Sequence, residues 1–490
     1  MAARCPARHA ERGATRPTRA GADRCHRGAR LVSPVDRSRL PVPGPDRPFH
    51  FPRIARRTLP NGLEVRAVTH SAMPVISIVL LVPGGSSADP TDRHGLVSIT
   101  AGLLDEGSRG ESALAVADRV ARMGGDLDLE VGVDAVVVAL TTLDRFYEPG
   151  LALVQEIVAA PNLAADDFNR IRNLRLERLR QMKDHAGAMA ERAFARALYD
   201  GHPYGHLGLG TTASLTAITV DETRLLHAAL FSPAGATLVV VGDRPAGELL
   251  DLASSAFGDW RAKSSPMVID RAAALAPPPP RPLTKLGVVS RPGAAQSELR
   301  IGHVCAPRAT PDYHALLMLN TILGGQFVSR INLNLREDKG YTYGVRTGFD
   351  LRRGIGPFVM QTSVGTEVTA PAIREALNEI RDIAATRPAT DDELSLGFAT
   401  VSKGYPRGFE TATQVARSVA QLALHGLPDS YFEEFIPRLA QVTRDEVSRV
   451  AATYLDIGRM TTLIVGDLDK IAASLPDLGL GPHQVLTPEI

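Results

Sequence analysis

The chain has 490 residues, 44% hydrophobic and 22% charged, with 55 Lys and Arg against 54 Asp and Glu and a formal net charge of +1. A chain of this length and composition predicts a globular protein of at least two domains with ample core. The near-neutral charge excludes a dedicated nucleic-acid binder, and the apolar runs at 77–82 and 134–140 are strand-sized rather than membrane-spanning.

Residues 1–50 are rich in Arg, Ala, Gly and Pro, lack apolar periodicity and read as a disordered segment. Their arginines suit a transit peptide, but acidic residues and prolines recur without an amphipathic helix, and no apolar stretch marks a secretory signal. A start codon placed too early is a further explanation. The compartment stays open: cytoplasmic by default, periplasmic if the N-terminus is misassigned. Cys5, Cys25 and Cys305 have no metal-knuckle or disulfide spacing. Cys305 follows a strand pattern and reads as a small core residue.

Asn61-Gly62 predicts a hairpin, followed by a strand at 75–82 and a helix from about 94 to 105. A helix over 111–123 stops at Gly124-Gly125. The strands DLDLEV (126–131) and DAVVVALTTL (134–143) precede helices at 147–159 and 164–198. His202 and His206 are four apart, a spacing that would share a helix face, but Pro203 and Gly205 argue against a helix and so against a metal site there. His94 and His314 occupy equivalent helix starts and read as structural.

The chain then repeats itself. Tyr313–Gly325 echoes Arg93–Leu104, and the ending at 454–467 echoes the one at 231–243: helix, turn, apolar strand, Gly-Asp. A Pro-rich linker at 271–284 divides a first domain, 51–270, from a second, 285–490. The second half predicts strands near 299–305, 341–350, 358–364 and 460–466. Its helices fall near 311–323, 368–385, 390–404, 411–425 and 442–455. The fold class is α+β, with helices grouped between antiparallel-compatible strands.

The hairpin, the apolar strand and then His94-Gly95-Leu96 opening a helix resemble the insulinase/pitrilysin family of zinc peptidases, which includes the mitochondrial processing peptidases. The resemblance covers about residues 53–470. It implies two domains of one fold, each a mainly antiparallel sheet with helices on one face. In that family the helix carries H-x-x-E-H. Here the five positions are Ser98, Ile99, Thr100, Ala101 and Gly102, so both histidines and the glutamate are missing. The family's third ligand falls at Arg178 and a supporting glutamate at Ile171, with Glu177 one residue out of register. None of these provides an imidazole pair or a general base, so the chain is expected to hold no catalytic zinc.

The segment LNLREDKGYTYG retains the family's arginine and tyrosine seven residues apart, Arg336 and Tyr343. A phenol and a guanidinium can both donate to the oxyanion of a tetrahedral intermediate. Taken alone, the residues read as a surface arginine paired with Glu337 or Asp338 and a strand tyrosine packed on a sheet, alternating with Tyr341. Gly324-Gly325 resembles a family turn near bound peptide. The resemblance therefore implies a zinc-free subunit with no cofactor of its own. Zinc would sit in a homologous partner bearing H-x-x-E-H, with Arg336 and Tyr343 acting in trans on extended peptides held by strand addition. The alternative is a structural or assembly subunit of the same fold.

Overall fold

The computed structural model describes residues 49–280 and 282–487. Of the expected N-terminal tail, residues 1–48 lie outside this range, Cys5 and Cys25 among them. Phe49 and Phe51 are packed, both against Phe409, at ring distances of 5.1 and 5.3 Å.

Two six-stranded sheets organise the described chain. The strands of the first are β1 (Ala55–Thr58), β2 (Glu64–Thr69), β3 (Val75–Pro83), β4 (Asp126–Val131), β5 (Ala135–Leu143) and β6 (Thr237–Gly242), in the order β1-β2-β6-β3-β5-β4. Gly62, at φ +89°, closes the expected hairpin between β1 and β2. The second sheet contains β7 (Leu286–Ser290), β8 (Gln296–Ala306), β9 (Val345–Phe349), β10 (Gly356–Gly365), β11 (Thr461–Gly466) and β12 (Gln484–Val485), in the order β12-β7-β11-β8-β10-β9. The duplication read from the sequence is a duplication of topology. In both sheets a parallel pair (β2·β6, β7·β11) is followed by antiparallel pairs out to one edge; at the other edge β1 joins β2 antiparallel, whereas β12 joins β7 parallel. The α+β class holds, with each sheet mixed.

Five helices of the first half matter below: α1 (Leu96–Ala101), α2 (Ala113–Arg122), α3 (Tyr147–Ala159), α4 (Ala165–Met182) and α5 (Ala186–Tyr199). Ser112 caps α2, and Gly124 follows it in the left-handed region, as a helix stop requires. The single helix expected over 164–198 is broken at 183–185. α4 stays beside α1, while α5 leaves the first half and lies on β8 and β11 of the second sheet. The second half reciprocates. Its helix Ala412–His425 lies on β3 and β6 of the first sheet, burying Val415, Ala416, Val419 and Ala420.

This exchange explains the uninterrupted apolar run of β3. Ile76, Ile78, Leu80 and Val82 face helices of their own half. Val79 and Leu81 join a core shared with Ala412–His425. A strand covered on both faces has no reason to alternate. Helices of the same half thus cover one face of each sheet, as expected, and the other half supplies the cover for the opposite face.

Four features depart from the sequence expectation. α1 spans only six residues, because Gly102 ends it. The strand expected at 341–350 begins at Val345, so Tyr341 and Tyr343 precede it and do not alternate on a sheet. Helices at Ala246–Phe257 and Tyr431–Ala440 went unread. So did the wide π-type turn Leu333–Asp338, closed by Lys339 N–H donating to the Asn334 carbonyl at 2.9 Å.

Candidate functional site

The helix that would carry the metal motif is buried along its whole length. Its start is fixed by Gly95, at φ +95°, and by Asp89. The Asp89 side chain, with no exposed surface, accepts from the N–H groups of Gly95 and Val97 at 2.7 Å each. His206 Nε2 lies 3.1 Å from the same carboxylate and 2.9 Å from the Ser86 carbonyl. Both partners are acceptors, so this nitrogen carries the proton. His94 stacks on the His206 ring, 4.0 Å between centroids. Asp89 escaped sequence reading because it stands six residues before Gly95, outside the window where capping residues are sought.

At the other end Arg175 Nη2 donates to the Ser98 carbonyl at 2.6 Å, and a Cβ added to Gly102 would lie 3.4 Å from that nitrogen. A guanidinium therefore occupies the flank of the aligned motif positions. Ser98 offers a hydroxyl, Ala101 a methyl and Gly102 nothing, so the donor set does not fit zinc. Arg178, at the aligned third-ligand position, is exposed three residues beyond Arg175, and Ile171 is half-buried. Glu177 is exposed and paired with Arg180, so the alternative register brings no carboxylate to α1. Among the described residues no three His, Cys, Asp or Glu side chains gather as a metal site would need.

Arg336, Tyr343, Gly324 and Gly325 line one cavity of about 590 Å³ in the second half. Arg336 stands on the π-type turn, a helix irregularity frequent at functional sites. Its guanidinium lies over the Phe327 ring, 3.2 Å from the centroid, and Nε donates to Glu337 at 2.9 Å. The pairing with Glu337 that the sequence offered as the plainer reading is thus present. Tyr343 departs from its plainer reading: it is 97% exposed and packs on no sheet. Its backbone is nonetheless held. Thr342 Oγ1 accepts from Gly344 N–H at 3.1 Å and lies 2.9 Å from Thr362 Oγ1. Tyr341, its neighbour, packs against the core.

The residue that holds this cavity together was not singled out in the sequence. Asn332, buried, donates to the carbonyls of Gln326 and Val345 at 3.1 and 2.9 Å and accepts from Val345 N–H at 2.8 Å. It ties the start of the turn carrying Arg336 to the strand following Tyr343. The two glycines have a packing reason. A Cβ on Gly324 would meet Thr347 at 2.5 Å, and one on Gly325 would meet Asn320 at 2.6 Å. Both N–H groups donate to the Asn320 carbonyl, at 3.0 and 2.7 Å.

The segment 202–206 ties the halves together. Tyr204 OH donates to Asp134 at 2.7 Å and accepts from Gly354 N–H at 2.9 Å, while Arg353 N–H donates to Asp134 at 2.8 Å. Burial, reinforced by Asp134, pushes the Tyr204 phenol well above its ordinary range, so it remains a donor. His202 bonds its own loop, accepting from Tyr204 N–H at 3.1 Å.

The sequence profile described as the peptidase M16 inactive domain matches residues 217–397. A crystal structure of a peptidase M16 inactive domain from Pseudomonas fluorescens is similar, with a TM-score of 0.78 and 25% identity, covering 84% of this chain and 98% of that one. An uncharacterized zinc protease of Streptomyces coelicolor is 22% identical over 426 residues, 86% of this chain and 92% of the relative. The non-peptidase homolog YmxG of Helicobacter pylori is 21% identical over 436 residues, 84% of this chain and 96% of the relative. These matches uphold the family resemblance read from the motif frame.

Proposed function

We infer that this chain, similar along most of its length to proteins of the M16, or insulinase/pitrilysin, type, is the non-catalytic subunit of a two-chain peptidase. It holds no catalytic zinc itself and presents Tyr343 and Arg336 to a zinc held by an H-x-x-E-H-bearing partner. The observation carrying this reading is Tyr343: its phenol is 97% exposed on a backbone anchored from both sides, at the mouth of the cavity that Arg336 lines. A tyrosine needed only for packing has no reason to stand in solvent. In the mechanism the Tyr343 hydroxyl donates to the oxyanion formed at a scissile carbonyl, and Arg336 holds a neighbouring peptide carbonyl. The peptide lies extended along β9, the edge strand that begins two residues after Tyr343, its backbone hydrogen bonds making binding weakly sequence-selective.

Co-expression with an H-x-x-E-H relative tests this. The pair is expected to copurify, to hold about one zinc per pair and to cleave unfolded peptides, whereas this chain alone holds well under one equivalent. Tyr343→Phe lowers turnover by the pair roughly 10²–10³-fold with assembly unchanged. Equal turnover removes Tyr343 from the mechanism. The second reading, an assembly scaffold, draws support from the relative named a non-peptidase homolog and from the engagement of Arg336 by Glu337. Failure to copurify with any such relative favours it.

A further inference from the structure

α4 carries six basic residues along its exposed length and the turn after it, and most are accounted for locally. Arg170 pairs with Glu106 and Asp167, and Arg180 with Glu177. Arg172 lies over Phe168 and donates to Asn169. Arg175 and Arg178 differ: neither has a carboxylate partner among the described residues. Arg175 is engaged only by the Ser98 carbonyl, and Arg178 stands in solvent. Three residues apart, they lie near one another on the helix, and Arg175 reaches α1 through the Ser98 carbonyl.

Two like charges on one partly buried face disfavour each other. Burial, and next the Arg178 cation, push the Arg175 guanidinium down to about 10. Asp89, the nearest acid in charge terms, is already committed to two backbone N–H groups and His206. The cationic face also has a direction. α4 ends four residues before α5, and α5 begins at the cavity of Tyr343. A Cβ on Gly187 would lie 3.6 Å from Glu298 Oε1 and 3.9 Å from Arg300 Nη2, both lining residues. Arg346, exposed on β9 and also lining that cavity, again has no carboxylate partner among the described residues.

We propose that the face of α4 beside the lost metal motif is a carboxylate-binding site. Arg175 and Arg178 together receive a carboxylate of the peptide whose scissile region lies at Tyr343. The fork geometry of guanidinium groups suits a carboxylate, and neutralising the pair removes their mutual repulsion. The site would make the chain selective for peptides carrying an acidic side chain or a free C-terminus at one end of the bound stretch. This inference rests on the reading that an extended peptide crosses this face, and it is tested without the partner.

The full chain, alone, is titrated by fluorescence anisotropy with three labelled extended peptides of one length. One carries two Asp and an amidated C-terminus, one has Asn at those positions and an amide, and one has Asn and a free carboxylate. The Asp peptide is expected to bind about tenfold more tightly than the neutral one at low salt. Arg178→Glu abolishes that difference and Arg178→Lys largely keeps it. A preference confined to the free C-terminus assigns the site to the chain end. Equal binding of all three, no binding of any, or a preference indifferent to Arg178→Glu overturns the proposal. Arg178 is exposed, so its variants report on binding rather than folding, which a melting curve verifies. Loss of peptidase activity in the pair with the carboxylate preference intact would count against the two-chain reading alone.

Discussion

Asn332 uses its carboxamide mainly on backbone: two carbonyls and one N–H are satisfied by one buried side chain, which also donates to Ser329 Oγ at 3.1 Å. Asn332→Ala is expected to leave the Val345 N–H and carbonyl without those partners. It costs about 1–3 kcal/mol by chemical denaturation and, in the proposed two-chain peptidase, lowers activity more than its effect on stability explains. Gly324→Ala drives a methyl into Thr347 and destabilises by about 1–3 kcal/mol. His227 is buried, bonded through Nε2 to the Val158 carbonyl at 2.8 Å, and burial lowers its pKa to about 4. The unfolded chain binds that proton near 6.5, so the unfolded state takes up more protons between those values. Stability is therefore fully present above pH 6.5 and falls as pH drops towards 4, by on the order of 3 kcal/mol from this residue. His227→Gln should flatten that limb of a melting-temperature profile. At this scale the sequence offered Arg336 and Tyr343, because their spacing is local, and the structure brings both to one cavity. The sequence hid Asn332 and Asp89, whose importance lies in which backbone groups they reach.

Among the elements, strands and amphipathic helices were legible wherever burial imposes a period, as in α3 and the helix Thr369–Ala384. The break between α4 and α5 was not. Neither glycine nor proline marks residues 183–185, and the bend is imposed by where α5 must lie. The π-type turn under Arg336 likewise has no sequence period of its own. The consequence for α5 is testable. Phe194 is buried where α5 meets the second sheet, beside Val304, Leu463 and Val465. Phe194→Ala is expected to cost about 3–5 kcal/mol, although it lies in the first half, and the damage falls on the second-half core. Hydrogen exchange should show lost protection in β8 and β11 as well as in α5. Protection lost in α5 alone would mean that the helix merely rests on that sheet.

On the scale of the molecule, the boundary proposed at 271–284 separates halves that do not finish themselves. The Asp134–Tyr204–Gly354 bonds and the two exchanged helices cross it. Calorimetry is expected to give one unfolding transition for residues 49–487, not two. A fragment ending at residue 276 should aggregate unless residues 277–487 are supplied with it. Two separate transitions would show that each half is autonomous. No helix among the described residues is long and apolar enough to cross a membrane.

The exchanged helix also sets an order in time. β6 completes the first sheet at Gly242, but the helix that covers its second face ends at His425, about 180 residues later. At a synthesis rate of roughly 5–20 residues per second, Val79, Leu81, Val239 and Val241 wait on the order of 10–40 s for their cover. During that interval the nascent first half presents an open apolar sheet. A chaperone bound at the ribosome, or a slow codon stretch after Gly242, would change the yield of folded protein while leaving the finished molecule unaltered.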